Sequence, residues 1–259
     1  MKGKAFGSSD IGKVRNKNED AFLVDTNLGL FVVADGLGGR KAGDAASRGA
    51  IEIVSRFIRE QSVANSSVER TLLRAYRTAA LYVYKLSHSK PATQGAMTTL
   101  TVLLLKGGRY YIVHVGDTRV YLLRGHTLRQ LTADDTQAQI FVKQGYLTQE
   151  QARTHKSRNI LTKALGSRPN PKPSFYTGWV KRGDIFLLVT DGLYSSFTDD
   201  EIRKILSENS PRAAMEEFIR LANERGGDDN ITGVIVSVDD PGGNFITRLV
   251  YSLDRIFVK

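Results

Sequence analysis

Two of the most apolar segments of this chain end on an aspartate that is followed by glycine. Residues 30–34 lead into Asp35, and residues 185–190 lead into Asp191. Because such apolar runs predict buried strands, each carboxylate would lie at a strand end, where an ionised acid is unfavourable without a cation or several donors. The fold must therefore bring a compensating group to both strand ends.

Further acids occupy comparable turn positions in distant parts of the chain. Glu19 and Asp20 precede one apolar run, Asp229 precedes another, and Asp117 follows a third. No equally clear set of basic residues accompanies them, so we predict that they meet around hard divalent cations, Mg²⁺ or Mn²⁺. Two such ions can lower the pKa of a shared water. Arg15 is the candidate for binding a phosphate group beside them.

Composition limits the kinds of protein that this chain can be. Its 259 residues, 41% hydrophobic, fit one large domain or two small ones. The absence of cysteine excludes disulfides, thiol nucleophiles and zinc–thiolate sites. No membrane span or signal peptide is apparent, so we predict a cytoplasmic protein. The net charge of +10 comes from scattered basic residues, which favours an anionic substrate or acidic partner over nucleic acid.

The apolar patterns predict an α+β protein. Two strand-rich blocks, each followed by a pair of helices, indicate a sandwich of sheets covered by helices. The runs 98–105, 110–115 and 119–123 are separated by short turns, which predicts an antiparallel meander. The other predicted elements are strands 2–8, 21–25, 29–34, 185–190 and 231–238 and helices 42–60, 67–89, 199–208 and 211–225.

The acidic motifs resemble, in the same order, those of the metal-dependent serine/threonine protein phosphatases of type 2C, in their bacterial branch. The resemblance extends from Ser9 to Val238. It implies a four-layer αββα sandwich, with two central antiparallel β-sheets flanked by helix pairs. The motifs that carry it are residues 9–20, 34–39, 42–47, 98–100, 115–119, 131–132, 159–166, 190–193 and 226–232.

The same resemblance implies a site that holds two Mn²⁺ or Mg²⁺ ions. Asp35 would bridge the two ions, Asp191 and Asp229 would hold one of them, and the carbonyl of Gly36 would bind the other. Glu19 or Asp20 would ligate that second ion or hold its waters. The implied metal ligands are Glu19, Asp20, Asp35, Gly36, Asp117, Asp191 and Asp229.

A third ion and a substrate residue complete the implied site. Asp117 with Asp191 would bind a third, weaker ion, and Arg15 would bind the substrate phosphate. The implied reaction is a one-step attack of a metal-bound hydroxide on phosphoserine or phosphothreonine, without a phosphoenzyme. Many relatives carry a histidine in or after the Asp-Gly-x-Gly-Gly stretch, where this chain has Leu37 and Arg40. Our hypothesis is therefore that a metal-bound water, rather than a histidine, protonates the leaving oxygen.

The resemblance also predicts partners, and two other functions compete with it. Phosphorylated proteins would be the substrates, a bacterial serine/threonine kinase the opposing enzyme, and the protein a monomer. One alternative is a non-catalytic module of the same fold that binds phosphoproteins, which the complete acid set disfavours. The other is a two-metal phosphodiesterase or nuclease, which the scattered basic residues disfavour.

Two segments lie outside the acidic motifs. Residues 134–168 are rich in basic residues and are predicted to form a flap subdomain within a phosphatase domain of residues 1–240. Residues 241–259 are predicted to form a C-terminal extension. In its part 244–259, apolar residues recur at helical spacing, which predicts an amphipathic helix. This helix would pack on its own domain or dock a partner or a membrane surface.

Overall fold

The computed structural model describes residues 2–37, 42–61 and 67–242. The predicted amphipathic helix 244–259 and Arg40 therefore lie outside the described residues. The strands are β1 (Lys2–Asp10), β2 (Ala21–Asp25), β3 (Leu30–Ala34), β4 (Gly36–Leu37), β5 (Met97–Thr98), β6 (Leu100–Lys106), β7 (Arg109–Val115), β8 (Arg119–Arg124), β9 (Thr127–Gln130), β10 (Ser174–Trp179), β11 (Ile185–Val189) and β12 (Ile231–Asp240). The helices are α1 (Gly43–Gln61), α2 (Val68–Ser89), α3 (Gln137–Lys143), α4 (Gln149–Thr154), α5 (Asp191–Tyr194), α6 (Asp199–Glu208) and α7 (Pro211–Glu224).

Two five-stranded sheets form the centre of the molecule. Sheet I has the strand order β1-β12-β11-β8-β9, and sheet II has the order β10-β7-β6-β3-β2. Every neighbouring pair in both sheets is antiparallel. The short strands β4 and β5 form a separate two-stranded ribbon.

Three buried apolar clusters hold four layers together. Between the sheets, Phe31 and Ile112 of sheet II belong to the same cluster as Phe186 of sheet I. The outer face of sheet II packs against α1 and α2, and the outer face of sheet I packs against α5, α6 and α7. Because a central strand gains apolar burial on both faces of its sheet, the inner strands are almost continuous runs of buried residues, as in β3, β6, β8, β11 and β12. The predicted αββα sandwich is confirmed.

The predicted antiparallel meander is only partly correct. Strands β6 and β7 pair as a hairpin, but β8 pairs with β11 and β9 in the other sheet. The turn at Gly116 and Asp117 therefore carries the chain from sheet II to sheet I, and Asp117 does not cap a hairpin. A strand that crosses between stacked sheets has the same local apolar pattern as one that pairs with its predecessor, so the sequence could not separate the two.

Several smaller elements complete the fold. Two short helices, α3 and α4, lie on either side of Gly145 within the predicted flap. The sequence patterns missed β9, β10 and α5; β9 alternates exposed and half-exposed residues, β10 is half-exposed along nearly its whole length, and α5 has only four residues. No helix in the described ranges is long and apolar enough to cross a bilayer.

Candidate metal centre

Five of the predicted ligands lie where strands begin or end. Asp20 directly precedes β2, Asp35 separates β3 from β4, and Asp117 lies between β7 and β8. Asp191 is the first residue of α5, directly after Thr190, and Asp229 lies two residues before β12.

The strand register brings these positions to one end of the sandwich. In sheet II, Ala21 is paired with Ala34, and Leu100 with Val115. In sheet I, Val189 is paired with both Arg119 and Gly233. The turn at Asp117 joins this end of sheet II to the same end of sheet I, so acids as far apart in sequence as Asp20 and Asp229 become neighbours.

Hydrogen bonds fasten the N-terminal acids to this end of the molecule. Asp20 is buried and accepts a hydrogen bond from the hydroxyl of Thr190 at 2.9 Å. The backbone N–H of Glu19 donates to Oδ1 of Asn230 at 2.9 Å, while the amide nitrogen of Asn230 donates to the carbonyl of Lys17 at 3.0 Å. Asn230 thus ties the Glu19–Asp20 loop to the chain that carries Asp229.

Asp35 and Gly36 are held just as closely. The backbone N–H of Asp35 donates to Oγ1 of Thr99 at 2.8 Å, and the hydroxyl of Thr98 donates to the Asp35 carbonyl at 2.9 Å. A Cβ at Gly36 would collide with the backbone of Glu19 and Gly43. Only glycine fits in this position, which leaves the Gly36 backbone close to the acids without a side chain in between.

Burial and mutual repulsion make these carboxyls hard to ionise. Burial raises the pKa of Asp20 to about 8, and the charges of Asp191 and Asp229 add to this effect. Burial also raises the pKa of Asp191 to about 6, although a hydrogen bond from Asp35 opposes the rise. The pKa values of Asp35 and Asp117 lie well above the ordinary value, first because of burial and then because of neighbouring acids. A cation would relieve this repulsion.

One arginine compensates part of the cluster. Nη2 of Arg15 lies 2.8 Å from Oδ2 of Asp229, with 53% of the arginine side chain and 34% of the aspartate side chain exposed. Among the described residues, this is the only ion pair formed by the five acids Asp20, Asp35, Asp117, Asp191 and Asp229. The other four acids form no ion pair with a basic residue of the described ranges.

The donor set fits a hard divalent cation, but ion binding requires small rearrangements. All the groups are carboxylate or carbonyl oxygens, which Mg²⁺ and Mn²⁺ prefer. Asp35 and Asp191 share a hydrogen bond, as expected for two carboxyls that cannot both ionise side by side. Within residues 2–37, 42–61 and 67–242, no three acidic or histidine side chains already converge closely enough to enclose an ion. Asp229 is turned toward Arg15 and Asp20 toward Thr190.

Comparison with known proteins decides the family of the chain. Residues 11–233 match the family model of protein phosphatase 2C. The chain belongs to this phosphatase family. It is 32% identical over 237 residues to the protein phosphatase PhpP of Streptococcus pneumoniae, which covers 90% of this chain and 96% of PhpP. It is 34% identical over 232 residues to the serine/threonine protein phosphatase PstP of Mycobacterium tuberculosis, covering 90% of this chain and 44% of PstP.

Solved phosphatase structures have the same fold. A crystal structure of Mycobacterium tuberculosis PstP superimposes with a TM-score of 0.85 at 32% identity, covering 92% of this chain and 99% of the PstP chain. The catalytic domain of PstP in complex with two manganese ions gives a TM-score of 0.83, with the same identity and the same shares covered. The PstP domain thus holds two Mn²⁺ ions in the fold that this phosphatase shares.

Sequence reasoning found the acids of this phosphatase but not the residues that hold them. Thr190 and Asn230 lie next to Asp191 and Asp229, and this adjacency was the only signal in the sequence. His114 is fully buried, and burial lowers its pKa. It hydrogen-bonds the hydroxyl of Thr101 at 2.9 Å. A neutral, buried imidazole of this kind is not available as an acid near neutral pH.

Proposed function

We propose that this phosphatase removes phosphate from phosphoserine and phosphothreonine in proteins, in a reaction that depends on Mn²⁺ or Mg²⁺. The observation that carries the proposal is the gathering of five strand-end aspartates at one end of the sandwich, buried enough for four of them to have a raised pKa. The ionised form of such a buried cluster is unfavourable without cations, and bound divalent cations would stabilise it. The manganese complex of PstP and the names of the relatives support the same activity.

We assign the metal ligands residue by residue. Asp35 would be a ligand shared by the two core ions, since its carboxyl already contacts that of Asp191. Asp191 and Asp229 would hold one ion. The Gly36 carbonyl, with Glu19 or Asp20, would hold the other, because the Gly36 backbone packs directly against the backbone of Glu19.

A third, weaker ion is assigned to Asp117 and Asp191. The charge of Asp191 is the largest cause, after burial, of the raised pKa of Asp117. An ion between the two carboxyls would relieve this repulsion.

The protein residues orient the substrate while the ions supply Lewis acidity that lowers the pKa of water. Arg15 binds the non-bridging phosphate oxygens through its planar guanidinium. Water oxygen forms a bond to phosphorus as the bond from phosphorus to the seryl or threonyl oxygen breaks, and the departing oxygen takes up a proton. The low pKa of His114 favours a water molecule as the proton donor.

The cellular setting follows from the substrate. A phosphoprotein requires a kinase that forms it from ATP, so we place the enzyme in the cytoplasm opposite a serine/threonine kinase. We further propose that it acts as a monomer and that the basic flap contacts the substrate protein. Opposite charges on the flap and on phosphorylated segments would speed their encounter.

One assay tests the proposed activity. The purified full chain is incubated with a phosphothreonine peptide, a phosphodiester and DNA, each with Mn²⁺ and with a chelator. We expect phosphate release from the peptide with Mn²⁺ only. Cleavage of the diester or of DNA without phosphate release from the peptide would favour a nuclease, and peptide binding without turnover would favour a non-catalytic module.

A further inference from the structure

A cavity of about 520 Å³ lies between the flap and the helices that follow Asp191. The flap contributes residues of α3 and α4 and the segment that follows them, and the opposite wall comes from α5 and the residues leading into α6. The cavity adjoins the acid cluster on two sides. Tyr194 lies three residues after Asp191, at the other end of α5, and Arg119 lies two residues after Asp117.

Arginine dominates the charges that line this cavity. Among the described residues, four arginines line it, Arg119, Arg153, Arg158 and Arg225, together with two acids, Asp134 and Glu201. In this described part of the wall, positive groups outnumber negative groups by two. An excess of cations in a concave site concentrates anionic ligands.

Three of the four arginines are fixed in place. Arg119 is buried, binds both oxygens of Asp134 and stacks over the ring of Tyr194 at 3.7 Å. Arg225 pairs with Glu201 at 2.7 Å. Arg153 reaches from the flap to Asp199 at 3.1 Å and to the carbonyl of Phe197 at 3.4 Å, and so spans the two walls of the cavity. These contacts give the cavity a defined shape.

Arg158 differs from the other three. Its side chain is exposed, and no carboxylate of the described residues lies within ion-pair distance of it. The neighbouring wall offers the hydroxyls of Ser195 and Ser196. An arginine fork opposite hydroxyl donors suits the oxygens of a carboxylate or a phosphate.

We propose that this cavity receives an anionic side chain of the substrate protein, a few residues away from the phosphoserine or phosphothreonine being hydrolysed. The inference rests on the proposed function, and it adds a substrate preference to it. The cavity is separated from the acid cluster by about one helical turn, the length of α5. Because an extended peptide advances about 3.3 Å per residue, a side chain about two to five residues from the phosphoresidue can reach the cavity. Aspartate, glutamate and a second phosphoresidue share the required chemistry.

Peptide substrates test the preference. A phosphothreonine peptide with neutral flanks is compared with versions that carry one aspartate, or one phosphoserine, at each position up to about five residues away on either side. We expect one side of the peptide to show a position where the anion lowers KM about tenfold, the effect of one charge-assisted contact of about 1.4 kcal/mol. Aspartate and phosphoserine at that position distinguish a carboxylate site from a phosphate site.

Matched variants connect the preference to the cavity. Arg158→Ala should abolish the KM advantage of the anionic peptide and leave turnover of a small aryl phosphate unchanged. Lys156→Ala, which removes an exposed flap cation that does not line the cavity, should keep the advantage. Equal KM values for anionic and neutral peptides, or an advantage that persists in Arg158→Ala, would overturn the proposal. No hydrolysis of any phosphopeptide by the unaltered enzyme would instead overturn the proposed function.

Discussion

Arg15 and Asp229 form an ion pair of 2.8 Å at the rim of the acid cluster. Both side chains are partly exposed, so the pair contributes little to stability, about 0–1 kcal/mol. The ion pair competes with both proposed functions of its members. While the pair is formed, Asp229 is not free to bind a metal ion and Arg15 is not free to bind the substrate phosphate. Metal binding at Asp229 would release Arg15 toward the substrate.

Arg15→Ala separates these two roles. The KM for a phosphothreonine peptide should rise about 10–100-fold, the loss of a charge-assisted hydrogen-bonding group worth about 1.5–3 kcal/mol. The affinity for Mn²⁺, measured by calorimetry, should stay the same or increase, since no guanidinium then competes for Asp229. Arg15→Lys should give an intermediate KM because it keeps the charge but loses the planar fork. Weaker Mn²⁺ binding with an unchanged KM would contradict this account.

The raised pKa values predict how pH affects the metal-free protein. The pKa is about 8 for Asp20 and about 6 for Asp191 in the folded state, against 3.8 for an ordinary aspartate. At a pH between the ordinary aspartate pKa and the raised pKa of the folded state, the folded protein holds protons that the unfolded chain has lost. Raising the pH through this interval therefore favours unfolding. In a chelator, these groups should therefore lower the Tm as the pH rises from about 6 to about 8.

Asp20→Asn is the control for this effect, because the amide keeps the shape of the side chain and cannot titrate. Its Tm should fall less steeply with pH than that of the unaltered protein, and saturating Mg²⁺ should reduce the difference between the two. At this chain size a change of 1 kcal/mol corresponds to about 2–4 °C. Identical slopes for the two proteins in chelator would contradict the assignment.

The Arg119–Asp134 pair should anchor the start of the flap to sheet I. The two side chains are about 90% buried and lie 2.7 Å apart. Removal of one partner leaves a buried charge, so Arg119→Met and Asp134→Leu should each lower the free energy of unfolding by about 3–5 kcal/mol.

The double variant should lose less than the sum of the two single losses, because it leaves no unpaired charge. Chemical denaturation of all four proteins measures the coupling. Asp200→Ala, which removes the exposed pair between Asp200 and Arg203, is the matched control and should cost less than about 1 kcal/mol. Additive losses at Arg119 and Asp134 would mean that the pair does not act as a unit.

The sequence allowed prediction of the acids because their signal is local. Asp35 directly follows an apolar run, and Asp191 follows another after a single threonine, Thr190. An ionised carboxylate at the end of a buried strand is unfavourable without compensation in any fold. The helix that starts after Ser67 was equally predictable, since Ser67 caps it and apolar residues recur at helical spacing. The arrangement of sheets covered by helices was predicted from the order of strands and helices along the chain.

The parts that could not be predicted depend on distant contacts. The crossing of the chain between sheets at Asp117 is decided by which strand β8 pairs with, and its own residues carry no sign of this. The hydrogen bond from Glu19 to Asn230 joins residues 211 positions apart. The cavity beside Tyr194 lies between the flap and the rest of the domain. It could not be predicted from the sequence of either part alone.

The most direct test of the central claim is anomalous diffraction at the manganese edge from crystals of the full chain grown with Mn²⁺. We predict two strong peaks beside Asp35, one also bounded by Asp191 and Asp229 and the other by Gly36 and the Glu19–Asp20 loop, and loss of both peaks in Asp35→Asn. Peaks elsewhere on the surface, or two peaks that persist unchanged in Asp35→Asn, would contradict the account.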